Sequence, residues 1–288
     1  ALKELVNLNQ NIIKVFSSPS KKANRGMKES PSPVAVTAEE LSLALEFPKN
    51  LKNNEVIESI KKLDLDMIIV IAYGFIIPKE ILSLPKYGCF NLHGSLLPRW
   101  RGAAPIQRSI IDADDSTGVT FIKIDEGLDT GDMVLSKSIK IKTTDNYSSL
   151  SEKLSILGAQ SLSSFLDSFE KDLILEKQNE SDAIYAKKIT KEETRINWNE
   201  SADLVVRRIN AYNPNPGAWF MLNGKRIKIL SAEVQSENGT PGEIISNELK
   251  IACGKNSIKP KIIKKEGKKE TDIDSFLRGI KIQSGVIL

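Results

Sequence analysis

The chain is poor in the residues that most often build metal and redox sites: its 288 residues include one histidine and two cysteines. Cys89 and Cys253 lie far apart and lack metal-ligand spacing. So few and so separate, they predict a reducing, cytoplasmic setting rather than a disulfide-stapled scaffold. Cys89 stands close to the histidine in sequence, yet a small buried residue is the expectation there, not a nucleophile. No apolar run approaches the roughly 18–20 residues needed to cross a bilayer. The first residues read as amphipathic, without the basic start and apolar core of a signal peptide. Internal repeats and long low-complexity tracts are also lacking. What remains is an ordinary globular composition, 40% hydrophobic and 27% charged, with room for one large domain or two modest ones.

Charge is unevenly placed. Residues 190–288 carry 17 Lys and Arg against 12 Asp and Glu, whereas residues 1–189 carry 24 against 25. The whole excess lies in the last third, which suits a polyanionic partner such as nucleic acid. The competing account is a solvated surface kept soluble by lysines.

Patterning divides the chain in the same way. Met67 to Ala72 is a short, uninterrupted, β-branched run that predicts a strand buried on both faces. Asn54 to Leu63 reads as a helix, Tyr87 to Leu92 as a strand, and Pro105 to Ile111 as a helix with proline in its first turn. Gly118 to Ile124 and Met133 to Ile141 alternate as strands, and Tyr147 to Glu170 reads as one long amphipathic helix. Alternation of this kind predicts a doubly wound α/β domain over residues 1–170. Residues 171–190 lose periodicity and read as a linker. Beyond them come a helix, Ala202 to Ala211, and short strands. Trp219–Leu222 and Ile227–Leu230 flank Asn223-Gly224, a strong hairpin signal. Gly242 to Ile245, Leu249 to Cys253 and Ser257 to Ile263 continue in short steps. Residues 191–288 are therefore expected to form a small β-barrel of the oligonucleotide-binding type.

The chemistry concentrates in Asn91-Leu92-His93-Gly94-Ser95-Leu96-Leu97-Pro98. Residues two apart on a strand point the same way, so Asn91 and His93 can aim at one spot. Asp129, in the glycine-bounded stretch Gly127-Leu128-Asp129-Thr130-Gly131-Asp132, adds a carboxylate. In open α/β sheets ligands bind at the carboxyl ends of strands, where both segments fall. An amide donor, an imidazole and a carboxylate that converge can stabilise an oxyanion and move a proton, which points to acyl-type transfer. Taken singly each signal is weak: a lone histidine is often structural, and Asn and Asp near glycine often only shape turns.

The run from Asn91 to Arg108, with its Trp100-Arg101-Gly102-Ala103-Ala104-Pro105-Ile106-Gln107-Arg108 continuation, closely resembles the signature of the folate-dependent formyltransferase family. Gly127 to Asp132 matches the tRNA-formylating branch of that family. Ala72-Tyr73-Gly74, Arg195-Ile196-Asn197-Trp198 and Asn213-Pro214-x-Pro216-Gly217 extend the likeness over nearly the whole chain. The resemblance implies transfer of a formyl group from 10-formyltetrahydrofolate to methionine carried on initiator tRNA, with no metal. It implies a Rossmann-like catalytic domain and an oligonucleotide-binding-like second domain. Asn91, His93 and Asp129 match the catalytic trio, and Ser95, Leu96, Leu97 and Pro98 the folate-contacting turn. A monomer that meets no membrane is expected.

Two basic stretches are candidates for tRNA contact. Lys14, Lys21, Lys22, Arg25 and Lys28 are opposed only by Glu29, and the family has a basic loop here, with Arg25 before Gly26 matching its arginine. Lys255 to Lys269, with Lys259, Lys261, Lys264, Lys265 and Lys268, is the second. Lysines along phosphates would give salt-sensitive, sequence-independent affinity. One departure stands at the front: the family opens on a strand and a Gly-Thr-Pro turn, whereas this chain opens on Ala1 and helical periodicity. A fragment lacking a central strand is the expectation. Two rival functions stay open: a folate enzyme acting on a sugar nucleotide or on formyltetrahydrofolate itself, and a non-catalytic nucleic-acid-binding protein on a decayed scaffold.

Overall fold

The computed structural model describes residues 1–23, 28–170, 173–280 and 282–288. Arg25 lies outside them. Of Lys21 and Lys22 only the backbone is described, in an antiparallel pair of Lys21–Ala23 with Lys28–Ser30. The chain divides into two compact units: residues 1–101, 118–139 and 153–185, and residues 102–117, 140–152 and 186–288.

The first unit is built on a sheet in the order Met67–Val70, Gly88–His93, Ser116–Lys123, Met133–Lys140. Met67–Val70 runs parallel to Gly88–His93, which in turn runs antiparallel to Ser116–Lys123. A separate parallel pair joins Val15–Phe16 to Leu45–Glu46. The period of two along Gly88–His93 sends successive side chains to opposite faces. Cys89 enters a cluster with Leu51, Ile60 and Ile81, against the helices Asn54–Lys61 and Lys79–Leu82. Phe90 enters another with Phe121, Leu162 and Phe165, under the helix Leu162–Glu170. Phe121 and Phe165 stack with centroids 4.2 Å apart. Helices on both faces of a sheet with parallel strands make this an α/β fold.

Two sequence expectations are corrected here. Met67–Val70 is half-buried along its whole length, not buried on both faces. Among the described residues it is an end strand of its sheet, with no strand paired on its other edge. The long helix expected over Tyr147 to Glu170 is two helices, Tyr147–Gln160 and Leu162–Glu170. Ser161 stands between them, its hydroxyl donating at 2.7 Å to the Leu157 carbonyl that its own backbone N–H also reaches at 3.0 Å.

In the second unit Ala218–Leu222 and Lys225–Gln235 form the expected hairpin. Asn223 (φ 49°) and Gly224 (φ 70°) both take the left-handed conformation that a two-residue hairpin turn requires. The sheet continues through Ser257–Lys265 to Ile251–Ala252, with Glu270–Asp272 also pairing on Ser257–Lys265. A bulge around Ile229–Ala232 bends its longest strand. Residues 242–245, read as a strand, contribute only the isolated bridges Glu243–Ile287 and Ile244–Ile251. The helix Ala202–Tyr212, capped by Ser201, buries Val205, Ile209 and Tyr212. No helix among the described residues is long and apolar enough to cross a membrane.

Candidate active site

The strand Gly88–His93 carries Cys89, Asn91 and His93 on one side of its pleat. Cys89 is buried, and burial pushes its thiol up to about 12, so it stays an unreactive packing group as expected. Toward the carboxyl end of the strand, Asn91 and His93 meet Asp129. The Asn91 amide donates to Asp129 Oδ1 at 3.2 Å, while His93 Nδ1 lies 3.5 Å from Asp129 Oδ2. One carboxylate thus bridges the other two side chains. His93 is buried and Asp129 nearly so, with side-chain exposures of 6% and 15%.

The other edge of the imidazole fixes its tautomer. His93 Nε2 lies 2.9 Å from the Trp100 carbonyl oxygen. A carbonyl can only accept, so Nε2 carries the hydrogen, and Nδ1 is the ring nitrogen that faces Asp129. Trp100 is placed to do this by a tight return of the chain. Ser95 donates from its hydroxyl to the Arg99 carbonyl at 2.6 Å, and Thr120 donates to the Ser95 carbonyl at 2.7 Å. The predicted folate turn therefore has two sides: Ser95 and Leu97 are buried within it, and Leu96 and Pro98 are half-buried. The Ser95 hydroxyl is spent on holding the turn.

Asp129 owes its position to its own loop. Its φ of 55° is unusual for a residue with a side chain. The Asp125 carboxylate accepts from the Gly127 amide at 2.9 Å and from the Thr130 hydroxyl at 2.7 Å. The glycines permit the tight path: a Cβ on Gly131 would lie 1.7 Å from the Lys123 carbonyl oxygen.

Sequence reasoning missed two groups. Gln178, in the stretch read as a linker, is 9% exposed and donates to the carbonyls of Asp129 and Gly131 at 2.9 and 2.7 Å. Arg101 is fully buried and donates from Nε to Gln178 Oε1 at 2.9 Å. No periodicity marks Gln178, and Arg101 reads as one of several polar residues in its motif. The stretch also exchanges a pair of backbone hydrogen bonds between Glu176 and Met133.

In the second unit, the predicted pair Lys264 and Lys265 falls on opposite faces of its strand, as adjacent strand residues must. Lys265 stands opposite the buried Ile227 and over the Phe276 ring at 4.6 Å. Lys264 stands opposite Lys228, which is itself opposite Trp219. Arg226 lies 4.0 Å over the Trp219 ring. Burial first, then repulsion from Lys264 and Arg226, holds the Lys228 ammonium below its ordinary value. Elsewhere in the run, Lys259 and Lys261 are paired with Glu248 and Glu233, each at 2.6 Å.

An open groove of about 380 Å³ in the second unit, lined by Arg195, Asn197, Trp198 and Leu288 among others, contains none of the trio. Titratable groups rather than hollow volume move charge, so the trio is the candidate centre. Among the described residues, no group of three or more His, Cys, Asp or Glu side chains is placed to hold a metal ion.

An amide, an imidazole and a shared carboxylate at the end of an α/β sheet are groups that can stabilise an oxyanion and move a proton, the chemistry a group transfer to or from a carbonyl needs. The chain belongs to the formyl transferase family, whose model matches residues 2–166; the family's C-terminal domain matches residues 188–281. It is 45% identical to a methionyl-tRNA formyltransferase of Pelagibacter ubique, over 99% of this chain and 93% of that protein. It is 42% identical to that of Rickettsia bellii (98% and 93%) and 40% identical to that of Neisseria gonorrhoeae (100% and 96%). Among solved structures, it resembles a methionyl-tRNA formyltransferase from Clostridium thermocellum, with TM-score 0.54, 20% identity, and 70% and 87% of the two chains covered. It also resembles HypX from Aquifex aeolicus, solved with tetrahydrofolic acid, with TM-score 0.63 and 20% identity over 84% of this chain. The chain spans 43% of that longer protein. At such identities these two structures speak for the fold alone.

Proposed function

We propose that this chain transfers a formyl group from 10-formyltetrahydrofolate to the free amino group of methionyl-initiator tRNA, in support of translation initiation. The observation that carries the reading is the bridging of Asn91 and His93 by the single Asp129 carboxylate. Near-full-length likeness to proteins named methionyl-tRNA formyltransferase supports the choice of substrate.

The roles follow from the chemistry. As the amine attacks the formyl carbon, negative charge grows on the formyl oxygen. One N–H of Asn91 is held by Asp129, and the second is left to donate to that oxygen. A donor so placed is worth roughly 3–4 kcal/mol in the transition state. The Asp129 carboxylate and His93 Nδ1 take a proton from the attacking amine. The same pair returns one to the folate nitrogen as its bond to the formyl carbon breaks. Leu96 and Pro98, the half-buried side of the turn, offer an apolar shelf for the donor's flat ring. Leu128, 61% exposed beside Asp129, adds a second apolar surface.

The first domain is Rossmann-like, over residues 1–170. Residues 191–288 form an oligonucleotide-binding-type barrel, with 171–190 between them. On that barrel the face bearing Trp219, Arg226, Lys228 and Lys264 takes tRNA phosphates, with the aromatic ring offering a stacking platform. Lys21, Lys22 and Arg25 meet the acceptor end. The enzyme works as a monomer in the cytoplasm. The test is a comparison of formyl transfer to methionyl-tRNA and to an amino-sugar nucleotide, alongside release of formate from the folate alone. Transfer to tRNA at least a hundredfold above the other two supports the reading; a preference for either rival overturns it.

A further inference from the structure

The amide of Gln178 is oriented by its surroundings in one sense only. Its nitrogen faces two acceptors, the Asp129 and Gly131 carbonyls at 2.9 and 2.7 Å. Its oxygen faces a donor, Arg101 Nε–H, at 2.9 Å. Flipping the amide would set N–H against N–H and oxygen against two oxygens, so the arginine decides which way it points. Arg101 is anchored in turn. Its two terminal nitrogens grip the Glu180 carboxylate at 2.8 and 3.0 Å, and the Tyr185 hydroxyl lies 3.4 Å from one of them. The guanidinium is fully buried although the Glu180 side chain is 73% exposed. A buried cation whose partner reaches out to water is a costly way to stabilise a fold. It is an effective way to hold one amide rigid.

We propose that Gln178 is a positioning residue for catalysis. Clamped by Arg101, it pins the two carbonyls that flank Thr130 and so sets the distance from the Asp129 carboxylate to Asn91 and His93. The inference rests on the role given to Asp129 in the proposed function. No substrate contact is required of Gln178. It acts by holding the backbone whose side chain does the chemistry, in a loop where Asp129 already adopts an unusual φ.

The experiment uses the full chain with two substitutions. Gln178→Met keeps the length and removes every hydrogen bond. Gln178→Glu keeps the shape and the Arg101 contact but, as a carboxylate, cannot donate to either carbonyl. A displacement on the order of 1 Å at a reacting group costs about a hundredfold. Both variants should therefore lose ten- to a hundredfold in kcat while KM for methionyl-tRNA stays within threefold. The second readout exploits composition: His93 is the only histidine, so one imidazole Cε1–H signal is expected in a side-chain NMR spectrum. That signal should move in both variants although residue 178 does not touch the ring. A kcat within twofold of the parent overturns the proposal, as does a fall in kcat with the His93 signal unmoved. Failure of both variants to fold also overturns it, since it would make Gln178 a structural residue. If the parent itself transfers no formyl group, the proposed function fails instead, which is a separate outcome.

Discussion

Replacing Gly131 by alanine tests whether the position of Asp129, rather than its mere presence, limits the reaction. The new Cβ would lie 1.7 Å from the Lys123 carbonyl oxygen and 2.9 Å from its carbon. An ordinary carbon–oxygen contact is about 3.3 Å, so about 1.6 Å of separation must be found. Both partners are backbone, so no side chain can swing away to provide it. The loop is also tied to the strand end at this point, Lys123 N donating to the Asp132 carbonyl at 2.9 Å, and Gln178 holds the Gly131 carbonyl at 2.7 Å. Spreading loop and strand end apart moves the loop, and Asp129, two residues upstream, moves with it. Misplacement by about 1 Å predicts a kcat lower by about 10². Overpacking of this kind costs about 1–3 kcal/mol, a fall in Tm of roughly 2–10 °C for a chain of this size. The assay is steady-state formylation of methionyl-tRNA, run beside a thermal melt. A variant whose Tm falls while kcat stays within threefold of the parent would show the idea to be wrong, because the strain would then be absorbed without disturbing the carboxylate.

Asn91→Ala or His93→Ala should lower turnover by a factor on the order of 10²–10³ and leave tRNA affinity within about twofold; near-normal turnover in either would remove that residue from the mechanism. Arg226→Ala with Lys264→Ala should weaken tRNA binding across all sequences and reduce the slope of log K against log salt by about one for each phosphate no longer neutralised. Lys265→Ala, on the other face, should leave that slope unchanged, which a filter-binding titration in salt checks. Both cysteines are buried, and burial raises each thiol from 9.0 to about 12. The native protein at pH 8 should therefore react with a thiol reagent about a thousandfold more slowly than the unfolded chain. Raised thiols also make folding weaken as pH climbs from about 9 toward 12, never on the acid side. Fast labelling of two thiols in native protein at pH 8 would contradict the burial.

Much of this protein is legible in one dimension, because the signals are local. The hairpin at Asn223-Gly224 follows from two residues that tolerate positive φ. The convergence of Asn91 and His93 follows from the period of two along a strand. The family follows from contiguous motifs, and the silence of Cys89 from its place in an apolar run. Other features depend on partners distant in sequence. Whether Met67–Val70 is central or at an edge depends on which strand lies beside it, and nothing within those four residues says so. The split of Lys264 from Lys265 needed the strand to be drawn through both, and the pairing of Lys259 and Lys261 needed carboxylates brought from 11 residues or more away. Asp129 reaches Asn91 across 38 residues, and Gln178 reaches Asp129 across 49. A single side chain that closes a long loop leaves no periodic trace, so residues 171–190 read as a tether. The order of residues dictates which groups the reaction can use and which way each points along its own strand. How those groups are held at one distance is settled in three dimensions, because hydrogen bonds between remote segments, not local propensity, set that distance.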